Sequence, residues 1–259
     1  MSQRPFSPNP RQAGMLAALR EAGSLSVDSL ADRFGVTLQT VRRDVQMLAD
    51  AGLIARFHGG ARLAGSTTEN LAYRARQRLH ETAKARIARS VAAAVPEGCS
   101  LIINLGTTTE AVARELLQHR GLRVITNNLN VAAILADNRD AEVFVTGGLL
   151  RGRDRGLVGE PAAAFIRQFR VDIGLIGISG IESDGTLRDF DPQEVMVART
   201  IIEQSRQVWL VADHSKFDRP AMVALATLDQ VDRLFTDAPP SAPFDRLLAE
   251  AGVDCVVAA

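Results

Sequence analysis

The tetrad Gly106-Thr107-Thr108-Thr109 combines residue types and a position that suit an anion. It lies between an apolar run of strand length at residues 101–105 and a helical pattern at residues 110–118, so it falls where a strand ends and a helix begins. Free backbone N–H groups and the positive end of a helix dipole attract phosphate there, glycine lets the backbone approach closely, and threonine hydroxyls can donate as well. The same four residues also read as an ordinary strand-to-helix turn with a threonine cap. Support for the first reading comes from other strand ends, because Thr126-Asn127-Asn128, Gly147-Gly148 and Asp213-His214-Ser215-Lys216 each follow an apolar run and can converge on one crevice. The chain has only two lysines, Lys84 and Lys216, and uses arginine elsewhere. A compact ammonium beside a phosphate or sugar hydroxyl would explain Lys216, with an incidental surface lysine as the other reading. Glu194, in the acidic stretch at residues 189–194, can accept hydrogen bonds from sugar hydroxyls or simply cap a loop.

A second group of residues suits nucleic acid. On a helix capped by Thr37, the apolar residues Val41, Val45 and Leu48 recur at i, i+4 and i+7 and turn Gln39, Arg43 and Gln46 to the opposite side, with Thr40 and Arg42 on the flanks. Arginine can bond bidentately to guanine and glutamine to adenine, while threonine hydroxyls reach phosphates or base edges. Downstream, Leu53-Ile54-Ala55-Arg56 and Phe57-His58-Gly59-Gly60 read as a strand and glycine hairpin, a wing on which Arg56 and His58 can track phosphates or enter the minor groove. Taken by spacing alone, the same pattern also fits a helical hairpin with merely solvated arginines.

The elements that must position these residues follow from periodicity. Residues 11–21 and 27–34 read as two helices before the one at Thr37, with Gly35 and Gly52 as stops and residues 24–26 as a short connector. Residues 64–68 are small and polar and read as a linker that extends to His80, followed by a basic helix at residues 81–95 with Ile87 and Val91 inward. From Ser100 onward, apolar runs at residues 101–105, 122–126, 143–146, 172–178, 208–212 and 234–236 alternate with helical patterns. That alternation predicts an α/β fold with a parallel sheet covered on both faces. The expected domains are therefore 1–62, a winged helix-turn-helix; 63–80, a linker; and 81–259, an α/β effector domain.

Charge follows the same division. Residues 1–90 hold fourteen Lys or Arg against seven acids, and the remainder sixteen against twenty-three, within a net charge of zero. A basic first part on an acidic body predicts a polyanion partner for the first part alone. No apolar run is long enough for a membrane span or a signal peptide, which predicts a cytoplasmic protein without a membrane partner. Cys99 and Cys255 form no C-x-x-C pair and the four histidines are scattered, so neither disulfide, metal nor cofactor is expected.

The stretch S-V-D-S-L-A-D-R-F-G-V-T-L-Q-T-V-R-R-D at residues 26–44, with G-L-I-A-R-F-H-G-G-A at residues 52–61, closely resembles the DNA-binding domain of the DeoR family of sugar-metabolism repressors. It departs from that pattern in Thr37, where serine is usual, and in Leu38, where proline usually opens the recognition helix; threonine still caps, and losing the proline removes no contact. The likeness continues through T-N-N-L-N-V-A from Thr126, G-I-S-G-I-E-S-D-G-T-L from Gly177, V-A-D-H-S-K-F from Val211 and T-D-A-P-P from Thr236. The family's effector domain is similar in fold to ribose-5-phosphate isomerase and binds phosphorylated sugars or polyols that release the DNA. The resemblance therefore implies a transcriptional repressor, not an enzyme, that binds double-stranded operator DNA as a homodimer or homotetramer, with glycerol-3-phosphate as the expected inducer. It also implies that Thr37, Gln39, Thr40, Arg42, Arg43, Gln46, Arg56 and His58 meet the DNA. Gly106, Thr107 and Thr108 would hold the phosphate, and Asn127, Asn128, Gly147, Gly148, Glu194 and Lys216 would line the pocket. The stretch D-P-Q-E-V around Glu194 departs from the family member that the chain most resembles, which bears on the polyol end of that pocket. The alternatives are a DeoR-type repressor of another sugar-phosphate pathway and, as a different class, a sugar-phosphate isomerase on the same fold, for which Asp172 or Glu194 would have to serve as base.

Overall fold

The structure, a computed structural model, describes residues 8–22, 24–51, 53–57, 59–63 and 73–259. The chain divides into two compact units, Met1–Ala75 and Arg76–Ala259.

The first unit contains α1 (Pro10–Ala22), β1 (Ser24–Ser26), α2 (Val27–Phe34), α3 (Leu38–Asp50), β2 (Ile54–Phe57) and β3 (Gly60–Leu63). Ser26 caps α2 by accepting from the Ser29 amide at 3.0 Å, and Gly35 closes it in the left-handed conformation at φ 62°. Thr37 caps α3 by accepting from the Thr40 amide at 3.3 Å. The apolar faces of the three helices meet in a core of Met15, Leu16, Leu19, Leu30, Val41, Val45 and Leu48, closed by Ile54 and Ala61 of the wing strands. The expected connector at residues 24–26 is instead a strand, because β1 pairs antiparallel with β3 and completes the sheet β1-β3-β2. His58 and Gly52 lie outside the described residues.

Asp44 fixes the orientation of α3. It is 1% exposed, accepts from Arg11 Nε at 2.6 Å and from Gln12 Nε2 at 3.0 Å, and so ties α3 to α1 on the side away from the exposed face. A buried carboxylate is tolerated only when paired in this way.

Part of the segment expected as linker is ordered structure. Residues 64–72 lie outside the described residues, but Leu63 ends β3 and residues 73–78 form α4 (Tyr73–Arg78), followed by α5 (Glu81–Ala94). The second unit is built on a seven-stranded sheet of β4 (Ser100–Ile103), β5 (Arg123–Thr126), β6 (Glu142–Val145), β9 (Val171–Gly177), β12 (Ser205–Val211), β14 (Arg233–Thr236) and β15 (Asp254–Val257). All neighbours are parallel, in the order β15-β14-β12-β9-β4-β5-β6. The helices are α6 (Thr107–Glu115), α7 (Leu129–Leu135), α8 (Glu160–Ile166), α9 (Pro192–Glu203) and α10 (Phe244–Glu250). One apolar cluster joins Ile87, Val91, Leu101, Ile103, Val112 and Trp209, and another joins Ile102, Ile125, Ile176, Ile201 and Leu210, so alternate residues of the strands feed cores on the two faces.

The strand order reverses between β4 and β9. Each strand's successor lies on opposite sides there, which leaves a crevice at the carboxyl ends of the two strands. Asn104 holds that point together: its Oδ1 accepts from the Gly177 amide at 2.9 Å and its Nδ2 donates to the Gly177 carbonyl at 3.4 Å.

Two hairpin regions and the last strand are additions to the sequence expectation. The antiparallel pair β7 (Leu149–Arg151) and β8 (Gly156–Val158) follows β6, and β10 (Gly180–Ile181), β11 (Thr186–Asp189) and β13 (Val223–Thr227) form a small separate sheet. Strands of two to five residues carry too little alternation to stand out.

The Asp44 clamp is testable. Asp44→Ala should lower the calorimetric melting transition of the first unit by several degrees, by removing the carboxylate that joins Gln12 and Arg11 of α1 to α3, whereas Gln39→Ala on the exposed face should leave it in place. Equal melting of D44A and wild type would show that the apolar core alone sets the orientation of α3.

Candidate functional site

Two surfaces gather the residues singled out from the sequence, one in each unit. On the first, Thr37, Gln39, Arg42, Arg43, Gln46 and Arg56 are exposed, and Thr40 is half-buried beneath the Thr37 hydroxyl at 2.9 Å. Gln46 donates to Asp50 at 2.6 Å and accepts from the Arg56 guanidinium, so helix and wing share one polar row. That row presents amide and guanidinium groups with the spacing of a helix face, the form that enters a major groove.

On the second unit a small cavity, open to solvent, lies at the β4/β9 crevice. Leu105, Gly106, Thr107 and Thr108 line it from the end of β4 and the start of α6; Gly177 and Ser179 from the end of β9; Asp213 and Lys216 from the end of β12; and Asp189 and Glu194 from β11 and α9. Arg76, Leu79 and Lys84 complete the lining from α4 and α5. The anion loop is sharper than expected, because α6 begins at Thr107 and leaves Gly106 as the cap, with no side-chain capping bond and φ 156°. Thr109 is spent locally, donating to the carbonyls of Asn104 at 3.0 Å and Gly106 at 2.8 Å, which leaves Thr107 and Thr108 as the hydroxyls facing the cavity.

Of the residues expected to line the pocket, Gly106, Thr107, Thr108, Glu194 and Lys216 do so, and Asn127, Asn128, Gly147 and Gly148 are elsewhere. Asn127 donates to the Leu157 carbonyl at 3.0 Å, and Asn128 caps α7 by accepting from the Asn130 amide at 2.9 Å. A side chain at Gly148 would stand 2.9 Å from the Val158 carbonyl, so that glycine makes a close approach to β8. The cause is the β7–β8 hairpin: its contacts with Asn127 and Asn128 occupy the ends of β5 and β6 and hold these residues in the framework. Asp172, the other candidate base, is on β9 at the opposite end from Gly177, roughly 16 Å along the strand. It accepts from Ser100 at 2.6 Å and lies outside the cavity lining.

Arg76, Lys84, Asp189 and Asp213 were missed. A signal for Lys84 was present, since both lysines of an arginine-using chain face this cavity. Arg76 lay in a stretch read as linker.

The electrostatics of the cavity are those of crowded charge. Burial, with Arg219, Arg76 and Lys84 as like charges, pushes the Lys216 ammonium from its ordinary 10.5 down to about 7, against the attraction of Asp213. Burial likewise lowers Lys84 to about 8, with Arg76 adding to the effect and Asp213 opposing it. Asp213 is also lowered, to about 2, which for a carboxyl favours the charged form: burial opposes ionisation, but Lys216 and His80 outweigh it, helped by the Ser215 hydroxyl at 2.5 Å. Burial and the neighbouring Asp189 push the Glu194 carboxyl upward against the pull of Arg151. Arg151 is a hub, bonding Asp154 at 2.6 and 2.9 Å, Asp191 at 2.6 Å and Glu194 at 2.6 Å, so the β7–β8 hairpin is fastened to the start of α9. The arrangement suits a ligand that brings an anionic end to the loop and cations and hydroxyl groups to the carboxylates.

A family model described as the DeoR C terminal sensor domain matches residues 79–238, and one described as the DeoR-like helix-turn-helix domain matches residues 11–67. The chain belongs to the DeoR family. It is 47% identical over 240 residues to the glycerol-3-phosphate regulon repressor of Escherichia coli (strain K12), covering 93% of this chain and 95% of that one. It is also 41% identical over 257 residues to the HTH-type transcriptional repressor CsqR of the same strain, covering 99% and 98%. Among solved structures, ribose 5-phosphate isomerase A from Neisseria gonorrhoeae overlaps 52% of this chain and 53% of its own, at 14% identity and a TM-score of 0.38. As a DeoR member the protein is a DNA-binding transcriptional repressor with a sensor domain. No helix among the described residues is long and apolar enough to cross a membrane.

Lys216 gives a sign-definite prediction. Its folded-state value lies below the unfolded one, so between about pH 7 and 10 the unfolded chain binds more protons and stability rises with pH. Lys216→Met should flatten that rise and leave the melting temperature at pH 7 equal to or above that of wild type. A clear loss of stability at pH 7 would show instead that the ammonium is a net structural asset.

Proposed function

We propose that the protein represses genes of glycerol and glycerol-3-phosphate metabolism and leaves its operator when glycerol-3-phosphate fills the cavity of the second unit. The observation that carries the reading is the pairing of an uncapped helix start at Gly106–Thr108 with a buried lysine, Lys84, and a half-buried one, Lys216, in one cavity, where carboxylates stand ready for hydroxyls. In this assignment Gly106, Thr107, Thr108 and Lys216 hold the phosphate, and Glu194, fixed by Arg151, receives the polyol hydroxyls. The 47% identity to a glycerol-3-phosphate regulon repressor over nearly the whole chain supports the choice of ligand.

The DNA-facing set is Thr37, Gln39, Thr40, Arg42, Arg43, Gln46, Arg56 and His58, read over a first domain of 1–62, with 63–80 as connecting segment and 81–259 as sensor. The helix-turn-helix reads one half-site, and a single small module binds weakly, so the working form is a homodimer or homotetramer in the cytoplasm. The output is binding, not turnover. Asp172 lies at the far end of its strand, outside the cavity, and Glu194 is committed to the Arg151 hub at 2.6 Å, which in this reading positions it for ligand hydroxyls.

The test is fluorescence anisotropy on labelled DNA from upstream of the protein's own transcription unit, at fixed salt, titrated with glycerol-3-phosphate. Binding reversed by glycerol-3-phosphate, and not by glycerol or inorganic phosphate, supports the assignment; a complex that survives the titration discards the ligand. Arg43→Ala should remove specific DNA binding and leave ligand affinity intact, and Lys216→Ala should do the reverse. Because the anion favours protonated lysines, ligand affinity should fall as pH rises from about 7 to 9, past the values of Lys216 and Lys84.

A further inference from the structure

Arg76 carries a role that neither the family likeness nor the sequence assigned. It is at the end of α4, and its sequence neighbours on the amino-terminal side lead through residues 64–72 to the DNA-binding unit. Among its fastenings are groups at the cavity. The Arg76 carbonyl accepts from the Lys84 ammonium and, at 3.4 Å, from the Thr107 hydroxyl, both of which line the cavity. Lys84 also donates to the Leu79 carbonyl at 2.6 Å, which holds the turn between α4 and α5. The Arg76 guanidinium faces the same cavity and lies 3.8 Å from Asp154, a buried carboxylate that also bonds Arg151 at 2.6 Å. Groups that would receive an anion are therefore also groups that help hold this segment in place.

We propose that Arg76 is an anion-binding and coupling residue: a phosphate ester at Gly106–Thr108 competes with Asp154 for its guanidinium and with its own carbonyl for Lys84 and Thr107, and so redirects the segment that leads to the DNA-binding unit. This rests on the phosphate-ester reading of the cavity. A charge-assisted contact to phosphate is stronger than one of 3.8 Å to a carboxylate already engaged by a second arginine, which gives the exchange its direction. A ligand shifts a segment only through such differential contacts.

The experiment uses the full chain with Arg76→Gln, Asp154→Asn and the double variant, measuring glycerol-3-phosphate affinity by calorimetry and the ratio of operator affinities with and without it. R76Q should bind the ester about tenfold more weakly and, at saturating ester, keep most of its operator affinity. D154N should bind the ester several-fold more tightly, and this gain should vanish in the double variant. A merely structural role for Asp154 would not tighten binding, and a gain that persists without Arg76 would assign the effect to Arg151; either result overturns the proposal, as does an R76Q protein whose operator response at saturation equals that of wild type. If wild type ignores glycerol-3-phosphate and inorganic phosphate alike, the ligand reading fails separately. The clamp is then judged by amide exchange over residues 73–80, which D154N must accelerate; unchanged exchange overturns it.

Discussion

Burying two ammonium groups beside a guanidinium is the constraint around which the second unit is arranged. Lys84, Lys216 and Arg76 line one cavity; beyond burial, Arg76 and Lys84 make the Lys216 charge less favourable, and Arg76 does the same to Lys84. Asp213 counters that repulsion from within, which is why a fully enclosed carboxyl titrates near 2 and not above its ordinary value. The sheet makes the arrangement possible. Its order reverses between β4 and β9, the crevice opens there, and the loops after β4, β9 and β12 all reach it. Asn104, bonded twice to Gly177, keeps the two strand ends in register where the ladder stops.

The exposed face of α3 was largely legible in the sequence, because most of what shapes it is local; the long-range tie of Asp44 to Arg11 and Gln12 was not. Helix periodicity, the Thr37 cap and the Gly35 stop each act within a few residues, and the structure has them at those positions. The sensor site was legible by halves. Gly106, Thr107, Thr108, Glu194 and Lys216 follow strand ends or begin helices that reach the crevice, so reading loops after strands succeeds for them. The same rule fails for Asn127, Asn128, Gly147 and Gly148, since the short β7–β8 hairpin covers the ends of β5 and β6, and nothing in a three-residue strand announces that.

Arg76 shows a different limit. Composition made residues 63–80 read as a tether, yet α4 enters the sensor unit and supplies part of its cavity. A short basic helix has no apolar face to betray burial. It is held in part by the Lys84 ammonium from the next helix, on the carbonyls of Arg76 and Leu79, and by Asp154 from across the fold.

The cost of the buried lysines and the response to a ligand are two sides of one arrangement. In a cavity of like charges, a phosphate ester gains more than it would on an open surface, because it relieves repulsion that folding has already imposed. The free energy needed for regulation is modest: a coupling of about 2 to 3 kcal/mol weakens an operator complex roughly thirty- to a hundredfold. Exchanging one or two charge-assisted contacts, each typically about 1.5 to 3 kcal/mol, is enough to supply it. A sensor of this kind needs no large interface to change. It needs a segment held by the groups that the ligand also wants, and the end of α4 meets that condition through Lys84, Thr107 and Asp154.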